Sequence, residues 1–142
     1  MQVVDESGAK NFSPTPALPG ELLPACPVEI VVGLLSNKWR ILIVRTLLRR
    51  TYRFNELRHT VTGISQKVLT ANLKEMERLG LVHRKVFAEV PPRVEYSLTD
   101  VGRSMRPILD AMAAWGEEYR AAVTAGGDAA QASVAPQVLT GG

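Results

Sequence analysis

The sequence predicts a mainly α-helical chain with one small β-hairpin, an α+β arrangement closed by a long helix. Three observations predict it. Between Pro27 and Leu79 apolar residues recur at three- and four-residue spacing, the period of amphipathic helices. From Leu81 the period changes to about two, over Leu81–Ala88 and again over Val94–Leu98, with Pro91-Pro92 between the runs. After Thr99 a helical stripe resumes through Val101, Met105, Ile108, Met112, Trp115 and Tyr119.

At 142 residues the chain has room for one domain with a core, plus tails. We place a flexible arm at 1–24, the domain at 25–124 and a flexible tail at 125–142. The arm holds Pro14, Pro16, Pro19 and Pro24 and shows no period; the tail is rich in Ala, Gly, Ser and Thr. No run approaches a membrane span, and no secretory signal pattern opens the chain, so a cytoplasmic protein with no membrane partner is expected. The single cysteine, Cys26, excludes an internal disulfide framework and fits a reducing compartment.

The formal net charge of +3 is unevenly spread. From Ser36 to Arg106 there are 15 Lys+Arg against 6 Asp+Glu, a local +9, whereas the first 24 residues carry −2. A basic domain beside a tail that is not basic points to a polyanionic partner.

Cys26-Pro27-Val28-Glu29 opens the first helix, expected to run to about Leu35. Proline at the first position loses no hydrogen bond there, and Glu29 suits the positive end of the helix dipole. Val28, Ile30, Val31, Val32, Leu34 and Leu35 make it apolar almost all round, which suggests burial partly against a second subunit. Ser36 or Asn37 can cap a second helix from Lys38 to about Arg49, with Trp39, Leu42, Ile43 and Leu47 as core. Thr51–Phe54 suits a strand or turn. Phe54, Leu57 and Val61 mark a third helix, and Thr62-Gly63 is a tight connection to the fourth.

That fourth helix has both ends marked. Ser65 can cap it, and Gly80 can take the left-handed conformation that ends it. Leu69, Leu73 and Met76 form its buried face. The opposite face carries Gln66, Lys67, Thr70, Ala71 and Lys74, with nothing acidic until Glu75 and Glu77. Short polar and basic groups at the start of such a helix suit a major-groove reader, although a solvated helix face has the same composition. Two helices joined by a short glycine turn and followed by a hairpin form a winged helix-turn-helix. In the closing stripe, Pro107 should bend or weaken the helix that Thr99 caps. The stripe exceeds what one small domain must cover, so part of it is expected at a dimer interface.

Cys26-Pro27-Val28, Lys38-Trp39, Arg53-Phe54-Asn55-Glu56-Leu57, Gly63-Ile64-Ser65, Leu69-Thr70, Gly80-Leu81-Val82 and the run from Val90 to Thr99 resemble the signature of the HxlR family of bacterial transcription regulators. The resemblance runs from Cys26 to about Trp115. Ser36-Asn37 departs from it, since the family usually has a glycine pair; the departure touches the turn before the second helix and not the DNA-facing surface. The resemblance implies a homodimeric regulator, usually a repressor or autoregulator, on a two-fold symmetric operator. It also implies dimerisation through the first and last helices, here Val28, Val31, Val32, Leu35, Ile108, Met112, Trp115 and Tyr119. In several members a cysteine at the position of Cys26 senses electrophiles or oxidants. A helix N-terminus independently favours a thiolate, but a half-buried cap residue is the alternative for Cys26.

Candidate groove residues are Gln66, which can pair with adenine, Lys67 and Lys74, which can reach guanine or phosphate, and Thr70, which can touch a thymine methyl. Ser65 can also meet a phosphate. Arg53, Arg58 and Lys85 are phosphate candidates, and Arg93 at the wing is a candidate for the minor groove or for phosphate. His59 and His83 lack metal-ligand spacing, and no nucleophile motif is present. No metal, cofactor or enzymatic activity is therefore expected. The partners expected are double-stranded DNA, a second copy and a small-molecule or electrophile effector. A winged helix that assembles with proteins without reading DNA is the alternative, and a small-molecule pocket at the dimer seam near Trp39 and Trp115 is a third reading.

Overall fold

The computed structural model of the chain describes residues 23–133, with side-chain surroundings to residue 127. Most of the expected arm, and the tail from 134 onward, lie outside the described residues. The order is α1 (Pro27–Leu34), α2 (Lys38–Leu47), β1 (Tyr52–Arg53), α3 (Phe54–Thr60), α4 (Gln66–Arg78), β2 (Val82–Phe87), β3 (Arg93–Leu98), α5 (Asp100–Arg103) and α6 (Arg106–Ser133). The described residues divide into two compact units, one ending at Arg106 and one beginning at Pro107.

In the first unit the three strands form an antiparallel sheet in the order β1-β3-β2. The hairpin register pairs Val82 with Leu98, Arg84 with Tyr96 and Phe87 with Arg93. Thr51–Phe54 supplies the short third strand, pairing Tyr52 with Tyr96 and Arg53 with Glu95. The Val90–Pro91 peptide in the turn is cis. The core draws on Ile43, Val44 and Leu47 of α2, Leu57 of α3, Leu69, Leu73 and Met76 of α4, Leu81 in the turn after it, and Val82, Tyr96 and Leu98 of the sheet. Of the α2 residues expected in that core, Leu42 is exposed and Trp39 is only half-buried.

Both ends of α4 form as their residue types predict. Ser65 Oγ accepts the Val68 N–H at 3.1 Å. At the other end Gly80 turns with φ 81°. The Gly80 N–H donates to Glu77 and the Leu81 N–H to Met76, the two reversed bonds of a Schellman motif. Thr99 then fastens this end, since its hydroxyl donates to the Gly80 carbonyl at 2.6 Å and accepts the Gly102 N–H at 3.0 Å.

Two expectations for the C-terminal part are corrected. The stripe from Val101 to Tyr119 is not one helix bent at Pro107. Thr99 caps the one-turn α5, the chain breaks over Ser104-Met105, and Pro107 stands in the first turn of a new helix. A proline inside a helix would remove a backbone bond and clash with the preceding turn; in the first turn it does neither. The stretch expected as a tail from 125 also begins as helix, since α6 continues through Ser133.

Candidate nucleic-acid interface

The helix-turn-helix is α3 and α4, with the β2–β3 hairpin as wing. Helix α3 starts where Glu56 accepts the Arg53 N–H at 2.9 Å. That bond, reinforced by Arg50, holds the Glu56 carboxyl below its ordinary range. Arg53 itself is exposed at this helix start, and Arg58 on α3 is half-buried. The connection to α4 is short, with Ile64 buried and Gly63 at φ 86°.

Ser65, Gln66, Lys67, Thr70 and Lys74 are all exposed along α4, opposite its buried face. Among the described residues neither lysine has a carboxylate within ion-pair distance. The acidic half of the helix is occupied otherwise: Glu75 is paired with Arg78, whose guanidinium lowers the Glu75 pKa and is itself raised by it. The cationic end of α4 therefore faces solvent unneutralised, and the N-terminal dipole adds to it.

The wing differs from its expectation. Arg93 is not presented at the tip. Its guanidinium lies 3.8 Å from the Phe87 ring centroid and pairs with Glu89 at 3.1 Å and Glu95 at 3.2 Å. Hairpin register causes this: Arg93 opposes Phe87, and Glu95 stands two residues along the same face. The exposed cations of the wing are Arg84 and Lys85 on β2. Lys85 opposes Glu95, which also opposes Arg53, so the register brings Arg53 and Lys85 into one row across the sheet with Glu95 between them. A groove of about 560 Å³ runs between Arg53–Glu56 and the wing segment Glu89–Val94.

The interface candidates divide. Helix α1 contains no buried residue; Val28 and Val32 are 67% and 61% exposed, and Val31 is half-buried. Leu35, however, belongs to the core of the first unit at 5% exposure, because the chain turns inward after α1, and it leaves the set. On α6, Met112, Trp115 and Tyr119 are exposed, with Trp115 and Tyr119 stacked at 5.2 Å, and Ile108 is half-buried. Cys26 is exposed and free at the start of α1.

Asn37 caps α2 as one of the two expected candidates, but its partner Asn72 escaped the sequence reading. Asn37 Oδ1 accepts the Arg40 N–H at 3.0 Å, and the Asn37 amide donates at 3.2 Å to Asn72, buried on α4. The departure at Ser36-Asn37 therefore reaches the reading helix after all. The signal available was Asn72's place on the Leu69–Leu73–Met76 face, where an amide needs a partner. Among the described residues, no cluster of His, Cys, Asp and Glu could hold a metal, and no helix is long and apolar enough to cross a membrane.

A capped helix with an unpaired cationic face, set between a supporting helix and a β-hairpin, defines a winged helix-turn-helix DNA-binding protein. The chain belongs to the HxlR-like helix-turn-helix family, whose model matches residues 34–124, and it is a transcriptional regulator. The HTH-type transcriptional regulator YdeP of Bacillus subtilis is 43% identical over 95 residues, covering 67% of this chain and 74% of YdeP. Among solved structures, the redox regulator HypR in its oxidized form superposes with a TM-score of 0.62 at 43% identity, covering 66% of this chain and 96% of HypR. The reduced form of the transcriptional regulator YodB from B. subtilis gives 0.59 at 36% identity, over 68% and 95%.

Proposed function

We propose that the protein is a homodimeric repressor that reads a two-fold symmetric operator with a pair of α4 helices and is released when Cys26 is chemically modified. The observation that carries the reading is the exposed face of α4, where Gln66, Lys67, Thr70 and Lys74 stand free of carboxylate partners among the described residues. Gln66 and Lys67 offer base contacts and Thr70 a methyl contact. Arg53, Arg58, Ser65 and Lys85 hold phosphates, joined on the wing by Arg84. Arg93 braces the wing and leaves the set of groove contacts.

The homodimer is supported by the bare apolar surface of α1 (Val28, Val31, Val32) and by the exposed stripe of α6 (Ile108, Met112, Trp115, Tyr119). Two half-sites about 34–36 Å apart would then be engaged from one side of the duplex. The release mechanism is supported by the exposure of Cys26 at the start of α1 and by the likeness to HypR, whose structure is described as that of a redox regulator. With diamide, two thiols yield a disulfide while their protons and electrons pass to the diazene, giving the hydrazine.

The test is a gel shift on the DNA upstream of the protein's own gene, with and without diamide, for wild type, Lys67→Ala and Cys26→Ser. Wild type should bind and be released, Lys67→Ala should bind weakly, and Cys26→Ser should bind but resist release. Binding unaffected by Lys67→Ala removes the reading assignment. Wild type that stays bound with diamide, quinone and hypochlorite removes the sensor.

A further inference from the structure

We infer that Asn37 and Asn72 form a polar clamp that sets the orientation of α4, which makes both of them positioning residues for DNA recognition. The inference rests on the assignment of α4 as the reading helix. Among the described residues Asn72 is the one polar side chain in the buried core, at 8% exposure. Its amide N–H donates to the Val68 carbonyl at 2.8 Å, and its oxygen accepts from Asn37 Nδ2 at 3.2 Å. Asn37 Oδ1 in turn accepts the Arg40 N–H at 3.0 Å, and the Arg40 guanidinium donates to the Leu34 carbonyl at 3.1 Å. An unbroken chain of hydrogen bonds therefore runs from the end of α1, through the start of α2, into the first turn of α4. It ends on Val68, whose own N–H is held by Ser65 and which sits between Gln66-Lys67 and Thr70.

The rest of the buried face of α4 is Leu69, Leu73 and Met76. Apolar contact is non-directional and allows a helix to settle at neighbouring angles. The buried Asn72 amide is satisfied in one arrangement, and a rotation of α4 that breaks its bond to the exposed Asn37 leaves the Asn72 oxygen unpaired. The pair adds little net stability, because both amides bond water in the unfolded chain, and a leucine would bury more apolar surface. What the pair adds is a fixed angle at the end of α4 that carries the candidate base contacts, where side chains must arrive within about 10–20° of the productive direction.

The test uses the full chain with Asn72→Leu, Asn37→Ser and the double variant. Serine keeps the cap of α2 but removes the amide donor. Binding is measured on the upstream DNA and on an unrelated duplex of equal length, beside thermal unfolding and backbone NMR of α4. Each single variant should lower the preference for upstream over unrelated DNA about tenfold, and the double variant should lose no more than the worse single. Binding to the unrelated duplex and the Tm of Asn72→Leu should not fall. An unchanged preference, a loss that follows Tm, or additive losses in the double variant overturns the clamp. If wild type itself shows no preference, the reading assignment fails, and the clamp is then decided by NMR alone: amides of Gln66–Thr70 shifted by Asn37→Ser uphold it, and unshifted amides overturn it.

Discussion

Helices α1 and α4 are held in opposite ways. Helix α4 is fixed from inside the chain by its Ser65 cap, a buried face, the Asn37 bond and the Thr99 tie at its end. Helix α1 has more apolar residues for its length and buries none of them. Apolar content alone therefore does not say where a helix is buried. The difference shows when polar groups are read too. The buried amide of Asn72 commits α4 to one neighbour, whereas the only side-chain bond reaching α1 comes, among the described residues, from Arg40 to its last carbonyl.

The widest separation is expected in stability. Leu73→Ala should cost about 2–5 kcal/mol, because it empties a core position. Val28→Ala and Val32→Ala should change the unfolding free energy of dilute protein by less than about 0.5 kcal/mol. The same two variants should weaken self-association. Denaturant unfolding and sedimentation over a concentration series measure both, and a Val32→Ala cost as large as that of Leu73→Ala at the lowest concentration would break the comparison.

Glycines give a smaller contrast of the same kind. A methyl on Gly102 would lie 2.3 Å from the Leu81 carbonyl and against Leu98, so Gly102→Ala should lose about 1–3 kcal/mol. Gly116 in α6 has open space, and Gly116→Ala should gain about 0.5–1 kcal/mol. A loss at Gly116 instead would mean that another surface closes over it. On DNA, Lys85→Ala should reduce the salt dependence of binding by about one unit of slope, whereas Arg93→Ala, whose charge is already paired, should change the slope less.

The smallest effect concerns pH. Glu56 has a depressed folded pKa, so its contribution is present above its ordinary value of 4.5 and is lost as pH falls through the lower folded value. Glu56→Gln should lower stability slightly at neutral pH and flatten that acid limb, so that its stability profile converges with wild type as pH falls.

Much of the fold was legible because local chemistry decides it. Ser65, Gly80 and Thr99 each do what their residue type predicts, and the proline-bounded hairpin follows from the change in period. The candidate site was legible along α4, where exposure follows from helical spacing. It was not legible at Arg93, whose two carboxylates and aromatic ring come from hairpin register. Nor was it legible at Pro107, since an unbroken stripe looks the same whether proline bends one helix or opens a second. The partner of Asn72 lies 35 residues away, beyond any local pattern.

The bareness of α1 has a consequence for dosage. An eight-residue helix is too short to persist in water on its own hydrogen bonds. Under the proposed homodimer, the free energy that orders α1 comes from association, so its ordered fraction rises with the concentration of the protein itself. The cell then sets the shape of the segment bearing Cys26 through how much regulator it makes, before any oxidant arrives.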